Sequence, residues 1–364
     1  MKGVILYAVN QPVVVEEVEL DAVRESEVRL KMVASGVCHS DYSVMDGTIP
    51  MELPMVLGHE GAGIVEEVGS HVTTLKPGDH VVLTYIPQCG RCYFCTIGEP
   101  NLCETSDLTR EGTLPNGHRP IHRGGVPLNQ MTGIGTMSEY TVVHETSVVP
   151  IDSDIPLDKA ALVGCGVMTG VGAVINTAKV QPGSSVAVFG SGGVGLNVVQ
   201  GAAMVGANTI IAVDTNPLKL EFAQRFGATH TVHAGATDPV AHIKELTGGR
   251  GADYTFEVIG NPQVMRQAYE SARRGGTVTI IGVARPDTEV VLSAPMIPRD
   301  EKKLLGLYYG STRQRVDMPR LLDLYCTGQL KLDELITKTY PIDEAQQAFD
   351  DLEAGKNARG VLIF

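Results

Sequence analysis

An α/β chain of two domains, one mostly β and one built on a doubly wound parallel sheet, is what three observations on this sequence predict. The chain has 364 residues, more than a single hydrophobic core usually organises. Residues 1–150 hold short β-type runs broken by Gly and Pro, with little helical periodicity. From Leu157 onward, apolar strands alternate with amphipathic helices, the rhythm of a parallel sheet.

In the first region, residues 13–18, 27–33, 63–68, 80–83 and 139–143 read as strands of an irregular, mostly antiparallel barrel. The opening residues 1–9 read as a first strand rather than a secretion signal. Their apolar stretch stops at Asn10, Gln11 and Pro12, and no small-residue cleavage site follows. Residues 104–136 are Gly-rich and weakly periodic, which predicts a functional or interface loop. In the second region, strands are expected at 185–189, 209–213, 253–258, 277–281 and 304–307. Helices are expected at 194–205, 217–226, 240–246 and 263–272. The closing stretch reads as helix 320–326, strand 335–340, helix 342–352 and strand 361–364. His118, His122, His144, His230, His233 and His242 read as surface or loop residues, and Cys326 as a packed helix residue.

Composition narrows the function. Hydrophobic residues at 43% and charged residues at 20% describe a chain with a real core, neither disordered nor fibrous. With 29 Lys+Arg against 42 Asp+Glu, the formal charge of -13 argues against nucleic acid or anionic lipid as partner. Trp is absent and aromatics are 5%, so base-stacking platforms are not expected either. No run of 18 apolar residues exists, so no membrane-spanning helix is expected. Of seven Cys, four crowd between Cys89 and Cys103. That clustering suits metal ligands in a reducing compartment rather than a disulfide framework, and predicts a cytoplasmic protein.

Gly190-Ser191-Gly192-Gly193-Val194-Gly195 is a GxGxxG turn that follows an apolar strand and opens a helix. The first Gly allows the tight turn, the second lets backbone approach a pyrophosphate, and the third lets helix and strand pack closely. The helix N-terminus, at Gly193 and Val194, offers unpaired N–H groups to phosphates. Asp214 ends the next strand, 19 residues after Gly195, where an acid accepts hydrogen bonds from ribose hydroxyls. A carboxylate there repels a 2′-phosphate, so NAD is expected rather than NADP. Lys219, one helical turn on, is placed to flank the same ribose.

Cys89, Cys92, Cys95 and Cys103 form C-x2-C-x2-C-x7-C. Four thiolates at this spacing can wrap one tetrahedral Zn²⁺ and leave no water position, which predicts a structural ion. An iron–sulfur cluster is disfavoured by the long last spacer and the absence of a following Pro. A second set is looser. Cys38-His39-Ser40-Asp41, Gly58-His59-Glu60 and Gly164-Cys165-Gly166 lie far apart in sequence. One His and two Cys could give three ligands and leave a fourth position for substrate. By residue chemistry alone this reading stands level with the bland one, buried core Cys and a satisfied His.

These motifs, in this order and spacing over the whole chain, make the sequence similar to the zinc-dependent medium-chain alcohol dehydrogenase family. The closing Gly355-Lys356-Asn357-Ala358-Arg359-Gly360 resembles that family's C-terminal motif. The resemblance implies a GroES-like, mostly β catalytic domain from residues 1–166 and 309–364. Between them, residues 167–308 would form a Rossmann dinucleotide-binding domain. It implies two zinc ions per chain, with Cys38, His59 and Cys165 holding the catalytic one. Asp41 would orient His59, and Glu60 would lie behind the ligands and ligate transiently. Ser40 would pass the substrate's hydroxyl proton toward the NAD ribose. Thr169 would touch the nicotinamide, and His39 and Arg359 would face the pyrophosphate. Tyr85, Met131 and Val283 would line a pocket for a primary aliphatic or aromatic alcohol, oxidised to its aldehyde.

Two departures stand out. Many members place a proton-relaying His where this chain has Ser43. Members acting on glutathione-bound formaldehyde carry acidic residues before the Gly-His-Glu motif and a basic residue after the fourth loop Cys. Here residues 47–54 are short and largely apolar, and Asp107 stands near the latter position. A thiol-adduct formaldehyde dehydrogenase is therefore the alternative enzyme, a cofactor-retaining variant is a further one, and a zinc- and nucleotide-binding relative without turnover is the non-enzymatic reading. The zinc-free quinone reductase branch lacks these ligands. The family forms homodimers or homotetramers by pairing Rossmann sheets edge to edge, for which residues 304–309 are the candidate strand.

Overall fold

The computed structural model describes all residues, Met1–Phe364. They divide into two units. One holds Met1–Cys165, Arg313–Gly328 and Leu332–Phe364; the other holds Gly166–Thr312 and Gln329–Lys331. The expected breaks lay at 166/167 and 308/309. Tyr309–Thr312 stays with the second unit because Gly310 packs on Gly172: a Cβ on Gly172 would meet the Gly310 carbonyl oxygen at 2.5 Å.

The first unit is β-rich. One sheet runs, in spatial order, Val14–Glu17, Lys2–Leu6, Met55–Val56, Val126–Gln130, Ile121–Arg123 and Glu19–Leu20. The other centres on the long strand Glu27–Val37, which pairs antiparallel with Gly61–Val68, Tyr140–His144 and Arg359–Ile363. Its inward residues Val28, Leu30 and Met32 pack with Val65, Val81 and Leu83 in a buried cluster. Each such side chain contributes roughly 1.5–3 kcal/mol relative to exposure. The register carries consequences for the site. Gly360 stands opposite Val37, and Gly61 opposite Ser35. The residues just beyond these pairs, Cys38, His59-Glu60 and Arg359, are therefore delivered to one end of the sheet.

Five readings change in this unit. Strand 27–33 continues to Val37, because Ser35 and Gly36 are buried as well. Residues 104–136 are not one loop: they hold the helix Ser106–Arg110 and a hairpin of Ile121–Arg123 with Val126–Gln130. His118 is buried, its Nδ1 2.8 Å from Glu27 Oε1 and its Nε2 3.0 Å from Asp21 Oδ2, so it is an interior residue held between two carboxylates. The helix near 320 begins at Gln314; Pro319, which reads as a breaker, lies inside it. Cys326 ends that helix exposed, not packed.

The second unit carries a parallel sheet in the order His230–His233, Thr209–Asp214, Ser185–Phe189, Ala252–Glu257, Ala272–Ile280, Lys303–Gly306. That is the third, second, first, fourth, fifth and sixth strand in chain order, a doubly wound arrangement. Three of its helices start by one device. Asn216, Asp238 and Asn261 are N-caps whose side chains accept from Leu218, Val240 and Gln263 backbone N–H, and each is followed by Pro at the first helical position. His230, exposed, and His233, half-buried, lie in the edge strand, and His242 lies half-buried on the helix Pro239–Leu246. No single helix is long and apolar enough to cross a membrane.

Candidate functional site

Cys38 follows the strand Glu27–Val37 and caps the helix His39–Met45. Its backbone N–H donates to Asp41 Oδ2 at 3.0 Å, while Asp41 Oδ1 accepts from His59 Nδ1 at 2.9 Å. One buried carboxylate thus fixes the positions of two candidate ligands. With Nδ1 committed, His59 Nε2 is the nitrogen left for a metal, and it is buried with no hydrogen-bond partner. Cys165 comes from the turn between Ala161–Gly164 and Gly166–Gly172. Ligand atoms of Cys38, His59, Glu60 and Cys165 all lie within 4.8 Å of one another, and all four residues are buried. Two thiols, an imidazole with a free nitrogen and no other partner for it are a donor set that fits zinc.

Electrostatics in this cluster are coupled. The contact with Cys165 pulls the Cys38 thiol well below its ordinary range, against burial, and pushes Cys165 up. Burial disfavours charge on His59, but Asp41 and Cys38 outweigh it and raise its pKa. Burial pushes Glu60 up to about 7 despite the Arg359 guanidinium beside it. Arg359 Nη2 donates to Glu60 Oε2 and, at 3.4 Å, to the Val37 carbonyl. Arg359 is 3% exposed and its Nε has no partner. Its position in the strand Arg359–Ile363 therefore puts it inside the unit, behind the ligands. Tyr85 stacks edge-on against His59, ring centroids 5.7 Å apart. His39 is exposed and Ser40 half-buried on the helix that Cys38 caps. Met131 packs in the core cluster with Val37, Met137 and Tyr340.

The four-cysteine loop is of a different kind. Cys89 and Cys95 sulfurs are 3.9 Å apart, Cys92 and Cys103 sulfurs 3.8 Å. A tetrahedron with Zn–S bonds of about 2.3 Å has edges of about 3.8 Å, whereas a disulfide needs about 2.05 Å. Backbone N–H groups of Arg91 and Cys92 help bring the Cys89 thiol down to about 6, against burial. All four sulfurs come from one short loop, three of them half-buried.

In the second unit, Gly190 has φ +100°, a left-handed conformation, and Gly192 caps the helix Gly193–Met204. A Cβ on Gly195 would lie 1.9 Å from the Gly190 carbonyl oxygen, so that position must be Gly. A Cβ on Gly192 would meet nothing of the chain within 4 Å; the turn is open there, as a pyrophosphate requires. Asp214 Oδ2 accepts from Ser191 N at 2.8 Å and Oδ1 from Asn216 N at 2.9 Å. The acid at the strand end is thereby tied to the Gly-rich turn. Lys219 lies half-buried on the helix Pro217–Arg225. Thr169 is buried on Gly166–Gly172, its hydroxyl without a partner. Val283 is 59% exposed. Sequence reasoning missed His118 and, without the family motif, would have left Arg359 as a surface charge; neither carries a periodic or spacing signal.

Residues 24–153 match the alcohol dehydrogenase GroES-like domain model, and residues 193–326 the zinc-binding dehydrogenase model. The chain is 43% identical to an NDMA-dependent alcohol dehydrogenase of Amycolatopsis methanolica, covering 100% of this chain and 98% of that one. It is 44% identical to an S-(hydroxymethyl)glutathione dehydrogenase of Saccharomyces cerevisiae, over 98% and 95% of the two chains. The structure of a benzyl alcohol dehydrogenase from Acinetobacter calcoaceticus superposes with a TM-score of 0.94 at 32% identity, covering 100% of this chain and 99% of that one.

Proposed function

The chain belongs to the zinc-binding medium-chain alcohol dehydrogenase family, and from that premise we propose that it is an NAD-dependent dehydrogenase of primary aliphatic or aromatic alcohols. The observation that carries this reading is the convergence of Cys38, His59 and Cys165, with His59 Nδ1 held by Asp41 and Nε2 left free. When bound, zinc supplies Lewis acidity toward a substrate hydroxyl, and the dinucleotide supplies the hydride acceptor. Cys38, His59 and Cys165 would hold that ion. Asp41 keeps His59 in the tautomer that ligates. Arg359 balances the buried Glu60 carboxylate. Ser40, two residues beyond Cys38, would take up the substrate's hydroxyl proton and pass it outward. Gly190, Gly192 and Gly195 shape the phosphate turn, and Asp214, with Lys219 beside it, selects an unphosphorylated ribose.

Tyr85 beside His59 supports a pocket with an aromatic wall, in keeping with a benzyl-type or medium aliphatic substrate. A second reading, oxidation of a formaldehyde–thiol adduct, is favoured by the 44% identity to the yeast enzyme. The apolar residues 47–54 and Asp107 weigh against it. One assay separates the readings. Purified protein with NAD should form NADH with a panel of primary alcohols, without added thiol, and Asp214→Ala should erode the preference for NAD over NADP by about tenfold, a difference of about 1.4 kcal/mol between the two dinucleotides. Turnover only with formaldehyde plus glutathione would transfer the assignment to the second reading. Dinucleotide that co-purifies and turns over only with an external acceptor would mark a cofactor-retaining enzyme.

A further inference from the structure

One buried carboxylate stands at the root of the segment that delivers Arg359. Asp351 lies on the helix Ala345–Glu353 and is 4% exposed. Its Oδ2 accepts from Lys338 Nζ at 2.8 Å and Tyr340 OH at 2.9 Å. Its Oδ1 accepts from Gln347 Nε2 at 3.0 Å and Lys356 Nζ at 2.9 Å. The Asp351 carbonyl accepts from Lys356 N at 3.0 Å. Tyr340 hydroxyl, held by Asp351, in turn accepts from Asn357 Nδ2 at 2.6 Å. Thr337 Oγ1 accepts from Ala358 N at 3.1 Å and donates to the Arg359 carbonyl at 3.2 Å. Lys338, Lys356 and Tyr340 together hold the Asp351 carboxyl well below the usual carboxylate range.

Packing alone does not call for this arrangement. A helix lying on a sheet is served by an apolar residue, and a buried carboxylate costs desolvation unless it is fully paired. What the pairs achieve is specificity of position. They pin Lys356 and Asn357 immediately after Gly355, which reverses the chain at φ +64°, and so set where Arg359 begins its strand. At the other end there is no slack. A Cβ on Gly36 would fall 2.3 Å from Glu60 Oε2 and 3.0 Å from Arg359 Nη2.

We infer that Asp351 is a positioning residue for the metal centre: by fixing the turn 355–358 it holds Arg359 on Glu60 and keeps that carboxylate out of the ion's open position. The inference rests on the reading that Cys38, His59 and Cys165 hold the ion. Glu60, whose oxygen belongs to the same 4.8 Å cluster, is the group nearest to filling that position once Arg359 releases it.

The test replaces both ions by Co²⁺ and reads the ligand-field absorption of the catalytic site alongside kcat. Asp351→Ala should shift the bands in the direction that Arg359→Ala does and lower kcat roughly tenfold, the scale for partners behind a metal ligand. The double variant should go no further than Arg359→Ala alone. Lys356→Met removes only an exposed lysine and should give a smaller shift of the same sign, so the test survives poor folding of Asp351→Ala. Asp350→Asn, the exposed neighbour, should match wild type. Loss of thermal stability in Asp351→Ala and Lys356→Met with an unchanged spectrum would overturn the inference, as would shifts that add to that of Arg359→Ala. A wild type that takes up one cobalt instead of two would overturn the metal-site reading itself and this inference with it.

Discussion

The two cysteine clusters of the first unit use the same atom type in opposite ways. Cys89, Cys92, Cys95 and Cys103 span one short loop, are mostly half-buried, and bring four sulfurs within 4.8 Å of one another. Cys38, His59 and Cys165 come from three separate segments, are fully buried, and stop at three strong donors with Glu60 and Arg359 behind them. The difference teaches that a structural metal site can be written locally, whereas an open site needs the fold. The register of Glu27–Val37 against Gly61–Val68 and Arg359–Ile363 brings Cys38, His59, Glu60 and Arg359 to one place, and the turn after Ala161–Gly164 adds Cys165.

If that contrast holds, the two clusters respond to damage differently. Cys165→Ser should cut kcat/KM by more than about 1000-fold, well beyond the 10–100-fold cost of an outer partner, while leaving the far-UV circular dichroism intact. Equal loss of structure and activity would erase the distinction. Asp41→Asn should lower kcat/KM by about 10–100-fold, because Asn can present its amide to His59 and stabilise the wrong tautomer. The loop has no equivalent of Asp41, so no single non-cysteine change there should do as much. Cys92→Ser should lower Tm while leaving the pH–rate profile of the surviving enzyme unchanged; a shifted profile would mean that the loop ion takes part in the chemistry.

The smallest effect lies outside both clusters. Burial pushes Asp253 up, but donors from Ser185 and Arg273 outweigh it and leave its pKa lowered. A carboxylate depressed on folding stabilises above its unfolded pKa and loses that contribution as pH falls through the folded value. Asp253→Asn should therefore narrow the stability difference between pH 7 and pH 3, seen by thermal unfolding, with turnover unaffected.

The contrast also explains what the sequence alone revealed. The Cys loop and the Gly190–Gly195 turn were legible because their chemistry depends on neighbours in the chain. The strand 185–189 was legible for the same reason. Cys38, His59 and Cys165 stayed level with a bland reading until the family pattern tipped them, since no spacing rule links segments brought together by a sheet. Arg359, Asp351 and His118 carried no signal of their own. Charged and polar residues are ordinarily exposed, and only the structure shows that these three are buried, Arg359 on Glu60, His118 on Glu27, and Asp351 under two exposed lysines.

Zinc content per chain tests the central claim most directly. Wild type should carry two ions, and Cys38→Ser and Cys92→Ser should each carry one, with turnover lost only in the former. A Cys38→Ser protein that still holds two ions would contradict the assignment of Cys38, His59 and Cys165 to a shared metal.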